Sequence, residues 1–259
     1  MSGSSLSVPP LPDSGRNLFN IQRFKGEADL PMAQPGEGSF RRLVGRIVGS
    51  LRRWVRAPPT HRYWERRYRR GGTSGAGSYD RLSAFKAEVI NGLIEQHKIE
   101  VVTEWGCGDG NQLELASYPQ YVGYDVSETA LRICTERFSD DPTKDFRHAS
   151  DYVGDSTDAA ISLDVVFHLV EDSSFESYMY RLFQSARRLV IVYSSNTDED
   201  PEPRRRRHMK HRQFTAWVSE YQPEWELISH IPNRYPYRGD FREGTIADFF
   251  TYRRVAPRN

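Results

Sequence analysis

Val101-Val102-Thr103-Glu104-Trp105-Gly106-Cys107-Gly108-Asp109-Gly110 is the most informative run in this chain. It opens with β-branched side chains and is preceded by Ile99, which predicts a short buried strand. Three glycines then follow at alternate positions. Because glycine has no Cβ atom, the backbone can turn tightly there and a ligand can approach it closely. The run therefore predicts a strand, a binding loop for a nucleotide-type ligand, and a short helix after the loop.

Two carboxylates distinguish this loop from a dinucleotide-binding loop. The dinucleotide fingerprint has the spacing G-x-G-x-x-G, whereas this loop has the spacing G-x-G-x-G, follows Glu104 and contains Asp109. Negative charges at these positions would repel a diphosphate, but they would attract a ligand that carries an ammonium and a sulfonium. The loop therefore predicts S-adenosylmethionine (SAM) as the ligand.

The loop and the acid that follows it resemble the first two motifs of class I SAM-dependent methyltransferases. Asp125 lies nineteen positions after Gly106, at the end of a predicted strand. In that family an acid at this position accepts both ribose hydroxyls, and a carboxylate has the lone pairs to do so. The similarity extends over residues 80–255 in the order and spacing of the elements. It implies SAM as the cofactor and methyl transfer as the activity.

The resemblance also implies which residues contact the cofactor. In the family, the acid of the first strand and the loop backbone hold the methionine part, while a later acidic loop meets the adenine ring. That later position matches Asp151 and Tyr152, for which a solvated acid beside a packed tyrosine is an equal alternative. The predicted cofactor-binding residues are Glu104, Gly106, Cys107, Gly108, Asp125, Val126, Asp151, Tyr152 and Leu163.

The rest of the chain alternates between short apolar runs and helical patterns. Strands are predicted at 121–125, 159–165, 189–193, 225–231 and 247–253, with a weaker third strand before Asp151; helices are predicted at 82–94, 127–138, 174–187 and 214–220. Strands separated by helices predict parallel βαβ units, and the last two strands are close enough to pair as antiparallel neighbours. We therefore expect an α/β, Rossmann-like three-layer sandwich whose seven-stranded sheet is mostly parallel, with an antiparallel C-terminal strand.

Three regions are predicted along the chain. Residues 1–38 are rich in Ser, Pro and Gly and predict a flexible leader. Residues 39–79 combine a basic amphipathic helix with a glycine-rich connector or cap, and residues 80–259 form the methyltransferase domain. The apolar stripe of the helix at 40–56 either packs on that domain or lies in an anionic membrane surface with its arginines at the head groups.

The charge, the cysteine content and the lengths of the apolar runs indicate where in the cell the protein is expected. The chain has 36 Lys and Arg against 35 Asp and Glu, a net charge of +1, although arginine concentrates at 41–56, 62–70 and 204–207. Its two cysteines offer no disulfide framework. No apolar run is long enough to span a membrane, and the first residues lack the pattern of a signal peptide. We expect a cytoplasmic protein, with peripheral membrane contact through residues 40–56 as the alternative.

Asp164 and His168 are the predicted catalytic residues. The pattern of residues 161–169 predicts a fourth strand that runs out to the edge where ligands gather in parallel sheets. For a hydroxyl acceptor the enzyme must remove a proton, and an imidazole with a pKa near 6.5 suits a general base. Asp164 would orient that imidazole or hold the acceptor hydroxyl. The alternative for His168 is a structural role at the end of the strand. Two candidates do not make a full ligand set, so no metal site is predicted and a divalent ion stays an unsupported alternative.

The predicted acceptor-binding residues follow the fifth strand; they are Tyr193, Asn196, His208, His211 and Arg212. The arginine run at 204–207 is either a solvated face or a lid that recognises an anionic group.

The segments 63–79, 164–172 and 193–196 resemble bacterial methyltransferases of polysaccharide synthesis. This second resemblance implies O-methylation of a sugar or glycan. A small metabolite or a nitrogen acceptor is one alternative. A nucleic-acid-binding protein on a SAM-binding fold is another, although the near-neutral charge gives no reason to expect a nucleic acid.

Overall fold

The computed structural model describes residues 59–199 and 208–255. Its centre is one seven-stranded sheet with the order β3-β2-β1-β4-β5-β7-β6. The strands are β1 (Val101–Trp105), β2 (Gln120–Asp125), β3 (Lys144–His148), β4 (Thr157–Leu163), β5 (Ala186–Ser194), β6 (Trp225–Ile231) and β7 (Asp248–Arg254). The pairs among β1 to β5 are parallel, and β7 is antiparallel to both β5 and β6. The predicted sheet is therefore confirmed.

Helices cover both faces of this sheet. They are α1 (Pro59–Arg69), α2 (Asp80–Gln96), α3 (Glu128–Arg137), α4 (Asp172–Gln184) and α5 (Phe214–Tyr221). Side chains of successive strand residues point to opposite faces, so Ile161 and Ala160 belong to different apolar clusters. Ile90 of α2 packs in the first cluster, whereas Met179 of α4 and Phe214 of α5 pack in the second. The result is the predicted three-layer arrangement.

The strand order changes direction at the centre of the sheet. From β1 the chain moves outward to β2 and β3, and then returns to β4 on the other side of β1. In sheets of this kind, the connections diverge at such a point and leave a crevice at the carboxyl ends of the strands. Glu104 lies next to this crevice, paired with Gly123 of β2 and Ile161 of β4.

Several element boundaries differ from the prediction, three of them near the glycine loop, β4 and β5. β4 ends at Leu163, because Asp164 has a φ of +59°, and a left-handed backbone cannot continue a strand. A short 3₁₀ turn, Val166–His168, follows in place of further strand. The helix predicted at 174–187 ends at Gln184, since the chain already enters β5 at Ala186. The helix expected after the glycine loop is a single 3₁₀ turn, Leu113–Leu115.

The predicted leader at 1–38, the helix at 40–56 and the arginine run at 204–207 lie outside the described residues. Within the described ranges, no helix combines the length and the apolar character needed to cross a membrane. Cys107 and Cys134 are both buried and free.

Candidate cofactor and active site

A cavity lies at the carboxyl ends of β1, β2 and β4. Its empty volume, which includes the open mouth, is about 1050 Å³. The predicted cofactor residues that line it are Glu104, Gly106, Cys107, Gly108, Asp125, Val126 and Leu163. The cavity is also lined by Asp164 and His168. The structure thus brings most of the predicted cofactor residues together with both predicted catalytic residues.

The loop after β1 folds as its glycines require. Gly106, Gly108 and Gly110 have φ values of +81°, +59° and +74°, a region that favours glycine. The backbone N–H groups of Gly106 and Cys107 both donate to the carbonyl of Tyr124, at 2.7 and 3.2 Å. These bonds tie the loop to the end of β2.

Asp125 is held at the floor of the cavity by backbone groups. Its Oδ2 accepts from Gly108 N at 3.0 Å and its Oδ1 accepts from Ser127 N at 2.8 Å. Burial raises the pKa of this carboxyl, and these backbone bonds oppose the rise. A carboxylate has about four lone-pair directions, so two more acceptor directions suit a pair of vicinal ribose hydroxyls. The site fits the ribose of an adenosyl ligand.

Glu104 is a buried carboxyl at the centre of the crevice, with 4% of the residue exposed. The Tyr121 hydroxyl donates to its Oε2 at 2.7 Å. Burial raises the pKa of Glu104 to about 7, against the opposing effects of this hydrogen bond and of the Lys86 charge. Among the described residues no basic side chain lies within 4.0 Å of it. A cationic ligand group, such as the ammonium of SAM, would supply the missing partner.

Asp109 does not face the cavity, which corrects the interpretation of the loop as a pair of ligand-facing acids. Its carboxylate accepts from Ser74 N at 3.0 Å, from the Ser74 hydroxyl at 2.7 Å and from the Tyr79 hydroxyl at 3.1 Å. These partners come from the segment that precedes α2. The negative charge offered to the ligand therefore comes from Glu104 and Asp125 rather than from Asp109.

Residues 59–79, which we call the cap, cover the cavity from the N-terminal side. Of these, Thr60, His61, Trp64, Tyr68, Ser74 and Ser78 line the cavity. The Glu65 carboxylate accepts from the hydroxyls of Ser127 and Thr129, at 2.7 and 2.8 Å, at the start of α3. The Thr60 hydroxyl donates to Glu171 at 2.8 Å, just before α4. The sequence suggested a cap but not these lining residues, because a run of arginines and aromatics lacks helical apolar periodicity.

His168 lies on the wall of the cavity among other rings. Its Nδ1 lies 3.2 Å from the carbonyl oxygen of His208, which can only accept, so Nδ1 carries the proton. The ring stacks on His208 with a centroid distance of 5.4 Å and meets Trp64 edge-on at 5.0 Å. His208 in turn stacks on Tyr63 at 5.0 Å. Of the five predicted acceptor residues, His208 is the one that contacts this cluster directly.

Asp164 contacts a different partner from the one expected. Lys86 Nζ lies 2.7 Å from Asp164 Oδ2. His168 Nδ1 contacts the His208 carbonyl, and no hydrogen bond or ion pair joins Asp164 to His168 among the described residues, so the expectation that Asp164 orients the imidazole is not supported. Lys86 was missed in the sequence, although its four-residue spacing from Leu82 and Ile90 places it on the buried face of the helix.

All five predicted acceptor residues lie outside the cavity lining; besides His208 they are Tyr193, Asn196, His211 and Arg212. Tyr193 is buried in the core, and its hydroxyl contacts Asn233 of the β6–β7 connection, which covers this end of β5. The Asn196 side chain bonds to the Thr215 hydroxyl at 2.9 Å. These two side chains are used for packing and for joining β5 to α5.

The other two side chains support the segment after residue 208. His211 is buried and its Nδ1 lies 2.7 Å from the Ser195 hydroxyl. Arg212 donates to the carbonyls of Leu169 and Val170 at 2.7 and 3.1 Å. His211 therefore fixes this segment to a side chain and Arg212 fixes it to backbone carbonyls, both outside the cavity lining.

The two residues predicted to meet the adenine ring do not lie where the prediction placed them. Asp151 is exposed and accepts from its neighbour Ser150, while Tyr152 packs edge-on against Trp105. Neither lines the cavity, which matches the alternative of a solvated acid beside a packed tyrosine. The cavity lining also includes Ala149, Ser174, Ser177, Tyr178 and Arg181. The described residues contain no group of three or more His, Cys, Asp or Glu that could hold a metal ion.

Comparisons with known proteins agree with this geometry. Residues 103–191 match the family model described as a methyltransferase domain, and no curated protein matches the chain. The N-methyltransferase NodS from Bradyrhizobium japonicum WM9, in complex with S-adenosyl-L-homocysteine (SAH), has a TM-score of 0.56 at 13% identity, covering 77% of this chain and 99% of NodS. The magnesium protoporphyrin IX methyltransferase ChlM from Synechocystis PCC 6803, with bound SAM, has a TM-score of 0.51 at 15% identity, covering 87% of this chain and 100% of ChlM. The methyltransferase domain of bacterial CtHen1-C has a TM-score of 0.53 at 20% identity, covering 68% of this chain and 100% of that domain.

Residues 103–191 are therefore similar to a methyltransferase domain, and the described residues share the fold of methyltransferases solved with SAM or SAH bound, whose ligand the cavity residues fit. The family match begins within β1 and ends within β5, so it includes Glu104, Asp125 and the loop between them. At these identities the structural neighbours share the fold alone, and the acceptor must be argued from the residues of this chain.

Proposed function

We propose that this protein is a SAM-dependent O-methyltransferase that acts on a hydroxyl of a sugar or polysaccharide, with His168 as the general base. The observation that carries the proposal is the position and tautomer of His168. Because Nδ1–H donates to the His208 carbonyl, the lone pair of the neutral ring lies on Nε2, the atom that would accept a hydroxyl proton. The same side chain lines the cavity that holds the cofactor-binding loop.

The residues of the cavity divide the work of methyl transfer. Bound SAM supplies a methyl group on a positively charged sulfur. Glu104 would hold the ammonium of the cofactor and Asp125 its ribose hydroxyls, which fixes the methyl group relative to the wall that carries His168. The cap covers the cavity and reduces its exposure to water.

The ring cluster beside His168 supports a ring-shaped, hydroxylated acceptor. Trp64 lines the cavity, and Tyr63 and His208 extend the cluster from it. Aromatic faces pack well against the apolar face of a sugar ring. The hydroxyls of Ser174 and Ser177, which also line the cavity, would hydrogen-bond to the polar edge of such an acceptor.

The activity is tested by incubating the purified protein with isotope-labelled SAM and a panel of mono- and oligosaccharides, with amines and RNA as competing acceptors. Each reaction is run with and without a divalent ion. We expect the label on a sugar oxygen, located by mass spectrometry. Label on nitrogen or on RNA alone would contradict the sugar assignment.

The role of His168 is tested with His168→Gln, using His97→Gln as the matched control because His97 lies at the end of α2, outside the cavity lining. Loss of a general base lowers turnover by about 10²- to 10⁴-fold, and we expect that loss with SAM affinity unchanged. Undiminished turnover of His168→Gln would reject the base assignment.

We also propose that residues 40–56 contact an anionic membrane surface, where a lipid-linked glycan would be presented. This segment places Trp54 and leucines among arginines at helical spacing. The full chain should sediment with phosphatidylglycerol vesicles but not with phosphatidylcholine vesicles, and Trp54→Ser should weaken that binding. Equal behaviour with both lipids would reject the membrane contact.

A further inference from the structure

Lys86 is a buried cation directly below the active site. It lies in the middle of the apolar face of α2, between Leu82 and Ile90, and 1% of its side chain is exposed. Removing an ammonium from water costs several kcal/mol unless it is paired, so a lysine at this depth needs nearby negative charge. Two carboxyls of the cavity supply that charge.

The first is Asp164, at the exit of β4. Lys86 Nζ lies 2.7 Å from Asp164 Oδ2, and Gly77 closes over the same oxygen so tightly that a Cβ there would lie 2.7 Å from it. Asp164 nevertheless lines the cavity, with 20% of its side chain exposed. Its Oδ1 has no hydrogen-bond donor among residues 59–199 and 208–255. One oxygen is thus fixed by Lys86 while the other remains available to a ligand.

The second is Glu104, at the end of β1. The positive charge of Lys86 lowers the pKa of Glu104 and so opposes the effect of burial, while the charge of Asp125 raises it. The Tyr121 hydroxyl also favours the ionised form. The other titratable groups that act on or respond to Glu104 are the buried Tyr118, Tyr178 and Cys107, whose own pKa values are raised by their surroundings so that they stay neutral near pH 7.

Tyr193 completes the surroundings of this lysine. Lys86 Nζ lies 5.4 Å from the centre of the Tyr193 ring, within the range of a cation–π contact. Tyr193, which was predicted to bind the acceptor, therefore packs against Lys86 on the side of the core.

The charges of the cavity are unbalanced without a ligand. Its lining contains three carboxyls, Glu104, Asp125 and Asp164, and one guanidinium, Arg181; Lys86 adds a second positive charge from below, so one negative charge is left over. A ligand with an ammonium and a sulfonium adds two positive charges and one carboxylate. The arrangement is suited to such a ligand only while Glu104 is ionised.

We propose that Lys86 is a positioning residue for cofactor binding: its buried ammonium fixes the Asp164 carboxylate at the exit of β4 and keeps the Glu104 carboxylate charged toward the ligand. This inference rests on the proposed function, because it assumes that the cationic ligand is SAM. Lys86 itself does not touch the ligand.

The test counts the protons released when SAM binds at pH 7, by titration calorimetry in buffers of different ionisation enthalpy. Glu104 has a pKa of about 7, so wild type should release about half a proton when the carboxylate pairs with the ligand ammonium. Without the lysine the carboxyl should be mostly protonated, and Lys86→Met should release close to one proton and bind SAM about fivefold more weakly. Lys86→Arg keeps the charge and should restore the wild-type count.

A second comparison removes the risk that Lys86→Met leaves Asp164 unpaired and fails to fold. The double variant Lys86→Met/Asp164→Asn removes both charges of the ion pair, and on SAM binding it should still release close to one proton. Asp164→Asn alone keeps the lysine and should release about half a proton, as wild type does, as estimated from linkage. Lys210→Met is the matched control, since its ammonium pairs with Asp172 at 2.6 Å outside the cavity lining, and it should match wild type.

Two results would overturn the inference and are distinguishable. SAM binding with equal proton release in wild type and in Lys86→Met/Asp164→Asn would overturn the role of Lys86 alone. Absence of SAM binding by the wild-type protein would overturn the proposed function and this inference with it.

Discussion

The Ser74 hydroxyl donates a 2.7 Å hydrogen bond to Asp109 Oδ1, and the Ser74 backbone N–H donates to Oδ2 of the same carboxylate at 3.0 Å. This pair joins the cap to the glycine loop across 35 residues of sequence. Two further hydrogen bonds anchor the cap: Glu65 accepts from Ser127 at the start of α3, and Thr60 donates to Glu171. The cap and the loop therefore form one hydrogen-bonded wall of the cofactor cavity.

Asp109→Ala should loosen the cap. The substitution leaves the donors of Ser74 and Tyr79 without their acceptor, and we expect a loss of about 2 kcal/mol or more in the free energy of unfolding. Trypsin should also cut faster after the exposed Arg69 and Arg70, as followed by mass spectrometry. Asp140→Ala, at an exposed position, is the control and should change neither result. Equal proteolysis of the two variants would contradict the anchor.

Gly108→Ala should displace the cap from the loop. Gly108 has a φ of +59°, and an added Cβ would overlap the Ser74 hydroxyl and lie 2.9 Å from the Tyr68 hydroxyl. A left-handed alanine costs about 1 kcal/mol before any clash, so we expect lower stability and SAM affinity at least about tenfold weaker. Both are measured on the same protein, by urea unfolding and by calorimetry.

Gly92→Ala provides the matched glycine control for that experiment. It lies in α2, and an added Cβ there meets no atom within 4 Å. Alanine favours a helix by about 0.8–1.0 kcal/mol over glycine, so this variant should be more stable while SAM affinity is unchanged. A Gly108→Ala protein that behaved like Gly92→Ala would show that the cap does not depend on this close approach.

Glu104→Gln should stabilise the ligand-free protein at alkaline pH. The pKa of Glu104 is raised by burial to about 7, so the folded state holds a proton that the unfolded state loses at about 4.5. Stability is therefore lost as the pH rises from about 4.5 to 7, by about 3 kcal/mol in total. The variant should escape this loss at pH 8 and show little difference at pH 4, while SAM binding is abolished.

Urea unfolding at the two pH values checks this prediction. Glu100→Gln is the control, because Glu100 is exposed just before β1. A Glu104→Gln effect of the same size at pH 4 and pH 8 would contradict the assignment of a raised pKa to this carboxyl.

Local sequence signals were sufficient for the centre of the fold and of the site. A β-branched run followed by alternate glycines identified β1 and its loop, and Asp125 followed at the end of the next strand. Ser127 begins the helix predicted at 127–138, and its hydroxyl accepts from Ala130 N at 3.1 Å. Each of these features depends on residues a few positions apart, so periodicity and spacing can reveal it.

Features that depend on distant partners were missed. Lys86 pairs with Asp164 across 78 residues, and Asp109 pairs with Ser74 rather than with the ligand. Tyr193 lies one residue before the end of β5, beside the strand β4 that leads to the cavity, but the connection that carries Asn233 covers it. A sequence pattern places a side chain along its own element, whereas these contacts depend on which other element packs against it.

Titration calorimetry with SAM, SAH and a pyridine dinucleotide tests the central assignment most directly. Asp125 and Glu104 should hold the adenosyl ligand, so we expect wild type to bind both SAM and SAH. Asp125→Ala should bind each of them at least about a hundredfold more weakly. The dinucleotide should give no heat. Binding of the dinucleotide without binding of SAM or SAH would contradict the account.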